Sequence, residues 1–287
     1  MSLTSFSKKA AAAVFSTVTA VLLTSVSCEP ENNPGDGTKY GVDGETPLPT
    51  AVDMGLMVTR EDGTTYNLKL ASFNLGASEP YGNGDWYAWG ETITYYSSLQ
   101  SAEWKTRDGA PLQYSWDSYI YTKNSYNTLT KYCYNTERWA KYWAGSEAEP
   151  DGLTELLPDD DVAHVKLGGK WRMPTSQELQ AVVNAIKDTE NYLWEKISVQ
   201  DAGGIKIKGW KLTRKSSGNS VFFPAAGFCF GKETGIMADE TGAYWSSSLY
   251  SSSTEPSNAA AINLNGSNAN MIGDGRFRGK SIRPVCD

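Results

Sequence analysis

An α+β fold is what the order of patterns along this 287-residue chain predicts. Three observations carry that expectation. Two β-prone runs flank a tight-turn dipeptide at Asp62-Gly63. Helical patterns occupy the middle of the chain. A succession of short strand patterns fills the last third. Hydrophobic residues make up 40% of the chain, enough for a substantial core. No Pro/Gly-rich linker follows residue 50, so residues 51–287 read as one domain.

The elements follow in order. "VDMGLMVTREDGTTYNLKLAS" is a hairpin turning at Asp62-Gly63. "FNLGASEPYGNGDWYAWGET" is loop-rich and aromatic, and residues 95–145 form a Tyr/Trp/Ser/Asn stretch of weak periodicity, expected as loops with short helical pieces. "LLPDDDVAHVKLG" predicts a short helix capped by Asp159 or Asp160. In "GGKWRMPTSQELQAVVNAI", Thr175 and Glu178 form a capping box, and Leu179, Val182, Val183 and Ile186 make one apolar helical face. "GIKIKGWKLTRKSSGNSVFFPAAGFCF" alternates as a hairpin with "SSGN" at its turn. "GAYWSSSLY", "AAAINLNG" and "RGKSIRPVCD" are three further strand patterns.

The first 50 residues are different. Lys8 and Lys9 precede the apolar run "AAAVFSTVTAVLLTSV", too short and polar for a good membrane span, so residues 1–27 read as an export signal. Small residues and then Cys28 follow, in "SVSC", which resembles a bacterial lipobox, with Cys28 as the lipidated residue. The acidic "EPENN" after it resembles the surface-export signal of Bacteroidota lipoproteins. These likenesses imply an outer-membrane lipid anchor on the cell surface, and residues 28–50, rich in Pro, Gly and acid, read as a flexible tether.

Net charge is −7, and removing Lys8 and Lys9 makes it more negative, which argues against a general nucleic-acid binder. Catalytic chemistry finds little support. His164 is the only histidine and lies beside apolar residues on a helical pattern, where a packed structural role is expected. Asp159, Asp160 and Asp161 lack the spacing of a calcium loop, and no Cys/His cluster suggests zinc; no cofactor is expected. Cys229–Cys286 is one possible bridge among Cys133, Cys229 and Cys286, and the sequence does not choose.

Seven segments, "VDMGLMV", "FNLGAS", "YAWGET", "DDDVAHVKLGGKWRMPT", "FFPAAGF", "AYWSSSLY" and "SIRPV", resemble in order the Fibrobacter succinogenes major paralogous (FISUMP) domain family. The resemblance implies a C-type-lectin-like fold with two helices, short antiparallel sheets, long loops and paired first and last strands. It would set "DMGLMV" beside "SIRPV". It also implies secreted or lipid-anchored surface proteins, and fold relatives of such diverse function that function must be argued from the site. Calcium-dependent lectins of that fold carry Glu-Pro-Asn or Gln-Pro-Asp and then Trp-Asn-Asp; this chain has "EPS" and "YWSSS" instead.

The remaining candidate is a surface. Residues 246–280 are dominated by Ser, Asn and Gly with a few aromatic and Arg anchors, a composition like that of a paratope. The expected ligand-binding residues are Tyr250, Asn263, Asn265, Asn268, Asn270, Arg276 and Arg278. Trp86 and Trp89 are the competing surface aromatics, whereas Trp171 and Trp245 are expected in the core. The expectation is a non-catalytic binding or adhesion module for a glycan or a surface protein. The alternatives are a structural or tip subunit of a surface fibre and a polysaccharide-active enzyme.

Overall fold

A computed structural model describes residues 40–96, 103–200, 204–250 and 256–287. The signal segment, Cys28 and residues 28–39 of the expected tether lie outside the described residues. The first strands of the described residues are β1 (Ala51–Thr59) and β2 (Thr65–Ala71). The aromatic stretch holds the two-residue strands β3 (Thr106–Arg107) and β4 (Ala110–Pro111) and the one-turn helix α1 (Glu137–Ala140). Helices α2 (Val162–Leu167) and α3 (Ser176–Lys187) follow. Then come β5 (Tyr192–Gln200), β6 (Lys206–Arg214), β7 (Ser220–Pro224), β8 (Phe228–Phe230), β9 (Glu233–Ile236), β10 (Thr241–Leu249), β11 (Asn258–Asn265), β12 (Asn268–Gly275) and β13 (Val285–Cys286). The strands form antiparallel sheets in the orders β1-β2-β13, β10-β11-β12 and β5-β6-β7, with small pairs β3-β4 and β8-β9. This is a sheet-dominated α+β arrangement.

Local chemistry accounts for the boundaries. Gly63 takes φ +84° at the β1–β2 turn, while the Asp62 carboxylate accepts the Thr64 amide at 2.8 Å. The capping box of α3 forms as expected: the Thr175 hydroxyl accepts the Glu178 amide at 3.2 Å, and the Glu178 carboxylate accepts the Thr175 amide at 2.8 Å. Arg172 then clasps Glu178 through both carboxylate oxygens, at 2.6 and 2.7 Å.

Four expectations need correction. Asp161, not Asp159 or Asp160, caps α2, accepting the amides of Ala163 and His164. A 3-10 turn at Pro158–Asp160 delays the helix start and swings Asp160 onto Tyr121, Tyr132 and Lys131. The first and last strands do not pair. The tight turn gives one edge of β2 to β1, so β13 takes the other edge, with Val285 opposite Leu70. Residues 40–50 are not all tether. Asp43 folds a turn onto α2, accepting the Thr46 amide and pairing with Lys166, and Gly41 sits so close that a Cβ there would lie 2.2 Å from the Lys166 carbonyl oxygen. The Cys229–Cys286 bridge is not made, because Cys229, like Cys133, is a buried free thiol.

Two cores meet at the β10-β11-β12 sheet. The apolar face of α3 packs with Ile262, Leu264, Ala269 and Met271 on one side of it, joined by Leu56, Leu68, Trp210 and Phe223. The other side carries Trp245, Ala259 and Ala261 into a second core with Trp89, Tyr132 and Trp171 from the aromatic stretch and the α2–α3 connection. Trp171 and Trp245 are 1% and 0% exposed, in the core where they were expected. The many Trp and Tyr residues act as polar-tipped core residues. The indole N–H of Trp89 donates to the Ser246 carbonyl at 2.8 Å, that of Trp245 to the Tyr87 carbonyl at 3.0 Å, and the Tyr119 hydroxyl to the Trp89 carbonyl at 2.9 Å. Irregular backbone is thereby pinned by side chains where ladder bonds are lacking.

Candidate functional site

The β11–β12 hairpin sorts its residues by parity. Asn263 faces Asn270 and Asn265 faces Asn268, and alternation puts all four on the same face, opposite the residues that meet α3. Asn265, Asn268 and Asn270 are exposed and Asn263 is half-buried. Gly266 turns the hairpin with φ +58°, and the Trp210 indole N–H donates to its carbonyl at 2.6 Å, fixing the tip. The result is a ladder of amides spaced about 4.8 Å across the strands and about 6.8 Å along them. Among the described residues, no side chain engages these four amides. Each offers two donors and an acceptor on a short stem.

The same face continues along β12 through Ile272 to Asp274. Asp274 pairs with Arg278 at 3.0 Å and with the buried Lys280 at 2.6 Å. Burial and loss of water hold the Lys280 ammonium below its usual pKa, and Asp274 opposes that shift. The Arg278 guanidinium lies among the rings of Phe228, Phe230 and Phe277, at 5.3, 5.1 and 5.8 Å, and Phe230 is 48% exposed. Arg278 therefore stays at the end of the candidate face, already tethered to Asp274.

Two of the expected ligand residues leave it. Arg276 is 0% exposed, donates to the carbonyls of Lys131 and Tyr132 at 3.1 and 2.5 Å, and lies over the Trp89 ring at 5.1 Å. It bolts β12 to the aromatic stretch and has no surface to offer a ligand. Tyr250 sits on the opposite side of the sheet. A Cβ on Gly273, whose neighbours Ile272 and Asp274 belong to the Asn face, would meet the Tyr250 ring at 2.1 Å. Of the competing aromatics, Trp89 is buried and Trp86 is tied to the Ala226 carbonyl at 3.3 Å.

A groove beneath the N-terminus of α3 was not foreseen. Three hollows of about 550, 360 and 220 Å³ share their walls: Glu155 lines the first two, Ser176 and Leu249 the last two, and Tyr250 the third. Glu155 accepts hydrogen bonds from the Ser247 and Ser248 hydroxyls at 3.0 and 2.6 Å, and the Ser248 oxygen accepts the Ser176 amide at 2.8 Å. The largest hollow also touches His164 and Asp161. Burial pushes the Asp161 carboxyl above its ordinary range, against the amides of Met173, His164 and Ala163 that it accepts.

Chemically, the groove's best-placed carboxylates are engaged: Glu155 holds two serines and Asp161 caps a helix. Burial raises the thiol of Cys133 to about 11 and that of Cys229 to about 12, which makes both poor nucleophiles near neutral pH. Among the described residues, no group of three or more His, Cys, Asp or Glu side chains is placed to hold a metal ion, and no helix is long and apolar enough to cross a membrane. Fold and surface thus define a sheet-dominated α+β domain with an ordered amide face and a polar groove. No family model, curated protein or solved structure matches the chain.

Proposed function

We propose that this chain is a non-catalytic binding or adhesion module that recognises a hydroxyl-rich ligand, a glycan or the glycan-like surface of a cell-surface protein. The carrying observation is the ladder of Asn263, Asn265, Asn268 and Asn270 at the exposed tip of a fixed hairpin, beyond Ala259 and Ala261 on the same side. Amides held in register lose little freedom on binding, and each matches the donor and acceptor pattern of a hydroxyl. Further along the same strand, past Ile272 packed against the second core, Asp274 pairs with Arg278. In this reading the domain is a FISUMP-family, C-type-lectin-like module, held by lipidated Cys28 on the outer face of the outer membrane, with no cofactor and no nucleic-acid partner. What supports it is the order of the seven quoted segments and the "SVSC" context of Cys28.

The test is an array of glycans and surface proteins probed with the chain from residue 29 onward, beside an Asn265→Ala/Asn268→Ala/Asn270→Ala variant. Binding lost in the variant, with unchanged thermal unfolding, is the expected result. Binding retained by the triple variant overturns the assignment of this face.

A further inference from the structure

The middle hollow of the groove has a composition that the Asn face lacks. Its walls are Tyr134, Trp139, Thr154, Glu155, Ser176, Ser248 and Leu249. We propose that this hollow is a separate saccharide subsite. It takes one neutral pyranose ring, with the apolar face of the sugar against Tyr134 and two neighbouring hydroxyls donated to Glu155.

Three features point to that occupant. First, Tyr134 is 47% exposed, yet Trp139 backs it edge-on at 5.9 Å and 77°. An exposed ring with a fixed tilt is a preorganised platform rather than a side chain free to turn away. Second, Glu155 is held by two hydroxyl donors, one on each carboxylate oxygen. A carboxylate offers about four lone-pair positions, so each oxygen keeps one for a ligand donor, and a vicinal diol supplies two donors at matching separation. Thr154 and Ser176 add polar groups at the rim. Third, the volume of about 360 Å³ lies within the range of small-ligand sites.

The chemistry disfavours other occupants. The only charged side chain in the lining is a carboxylate, which repels phosphates and carboxylates. A quaternary ammonium is best served by a cage of several rings, and here one open ring is presented. The inference stands on residues the Asn face does not use, so either site can fail without the other.

The experiment uses the full chain and a panel of methyl pyranosides (gluco, galacto, manno and xylo, both anomers), with choline as the cationic control. Saturation-transfer NMR and titration read binding. At least one glycoside is expected to bind with a Kd of about 1 mM, receiving saturation on its ring C–H protons. Tyr134→Ala and Glu155→Ala should each weaken it about tenfold or more, while Tyr134→Phe holds it within about twofold. All titrations are run in the Asn265→Ala/Asn268→Ala/Asn270→Ala background, so that the Asn face contributes nothing and only the hollow is read. Because Tyr134 is nearly half exposed, its alanine variant also serves where Glu155→Ala disturbs the serines. No glycoside binding, binding of choline alone, or binding that survives Tyr134→Ala each overturns the proposal.

Discussion

Arg276 is the residue on which surface and core roles separate most cleanly. Replacing it with Ala removes a fully buried side chain and strands two carbonyls, those of Lys131 and Tyr132, that now receive its guanidinium N–H groups. A buried acceptor left without a partner costs about 1–3 kcal/mol, and truncating a long buried side chain costs about 2–5 kcal/mol. The two costs overlap, because the cavity and the orphaned carbonyls share one space. The expected loss is therefore about 3–5 kcal/mol, a fall in thermal midpoint of about 10 °C for a domain of this size. Arg276→Met keeps volume and removes a desolvated charge, so it should cost about half as much. Urea unfolding followed by tryptophan fluorescence reads both, since Trp89 lies directly beneath the guanidinium. An Arg276→Ala protein with unchanged stability but lost ligand binding would refute the buried role and return Arg276 to the binding face.

Other outcomes follow from the same contacts. Trp171→Ala should lower stability by about 3–5 kcal/mol, measured by calorimetry; an unchanged midpoint would show that the ring is not part of the core. Although burial alone would raise it, the Asp160 carboxyl is held below its ordinary value because Lys131, Tyr132 and Tyr121 all bond to the anion. Its folded pKa thus lies below its unfolded one, so its contribution is complete above the usual carboxylate range and is lost as pH falls through the folded value. Asp160→Asn should flatten that part of the acid-unfolding profile and leave neutral-pH slopes alone. Cys28→Ser should abolish radiolabelled palmitate incorporation; equal labelling of both proteins would exclude Cys28 as the acceptor.

Legibility in the sequence tracked how local the cause was. Asp62-Gly63 and the Thr175/Glu178 box act within five residues, and both elements formed as the pattern required. Trp171 and Trp245 were legible as core because a large ring at the start of a segment has few other places to go. Strand β12 was not read as a strand, since "NANMIGDG" is built from residues depleted in strands, and only pairing with β11 makes it one. β5 went unassigned although it pairs with β6 along its full length. Within the candidate surface, composition names residue types but does not say which of them share a face. Parity brought the asparagines together, sent Tyr250 to the other side, and the end of β12 turned Arg276 inward. The groove was invisible because Tyr134, Glu155, Ser176 and Ser248 come from four distant segments and are joined only by tertiary packing.

Strand β2 waits a long time for its second neighbour. Leu70 is completed by Val285, and Arg60 near the other end of β2 closes an ion pair with Asp287. A chain made from its N-terminus can form the β1–β2 hairpin early, yet it leaves the other edge of β2 open until Val285 and Cys286 have been made. Closure of this sheet is therefore a late event, dominated by contacts far apart in sequence, and such topologies fold slowly and expose sticky edges meanwhile. The half-made hairpin is the stage at which a chaperone would have most to protect. Because the contact forms late and both side chains are buried, substitutions at Leu70 or Val285 would be felt first as faster unfolding and lost stability rather than as slower folding.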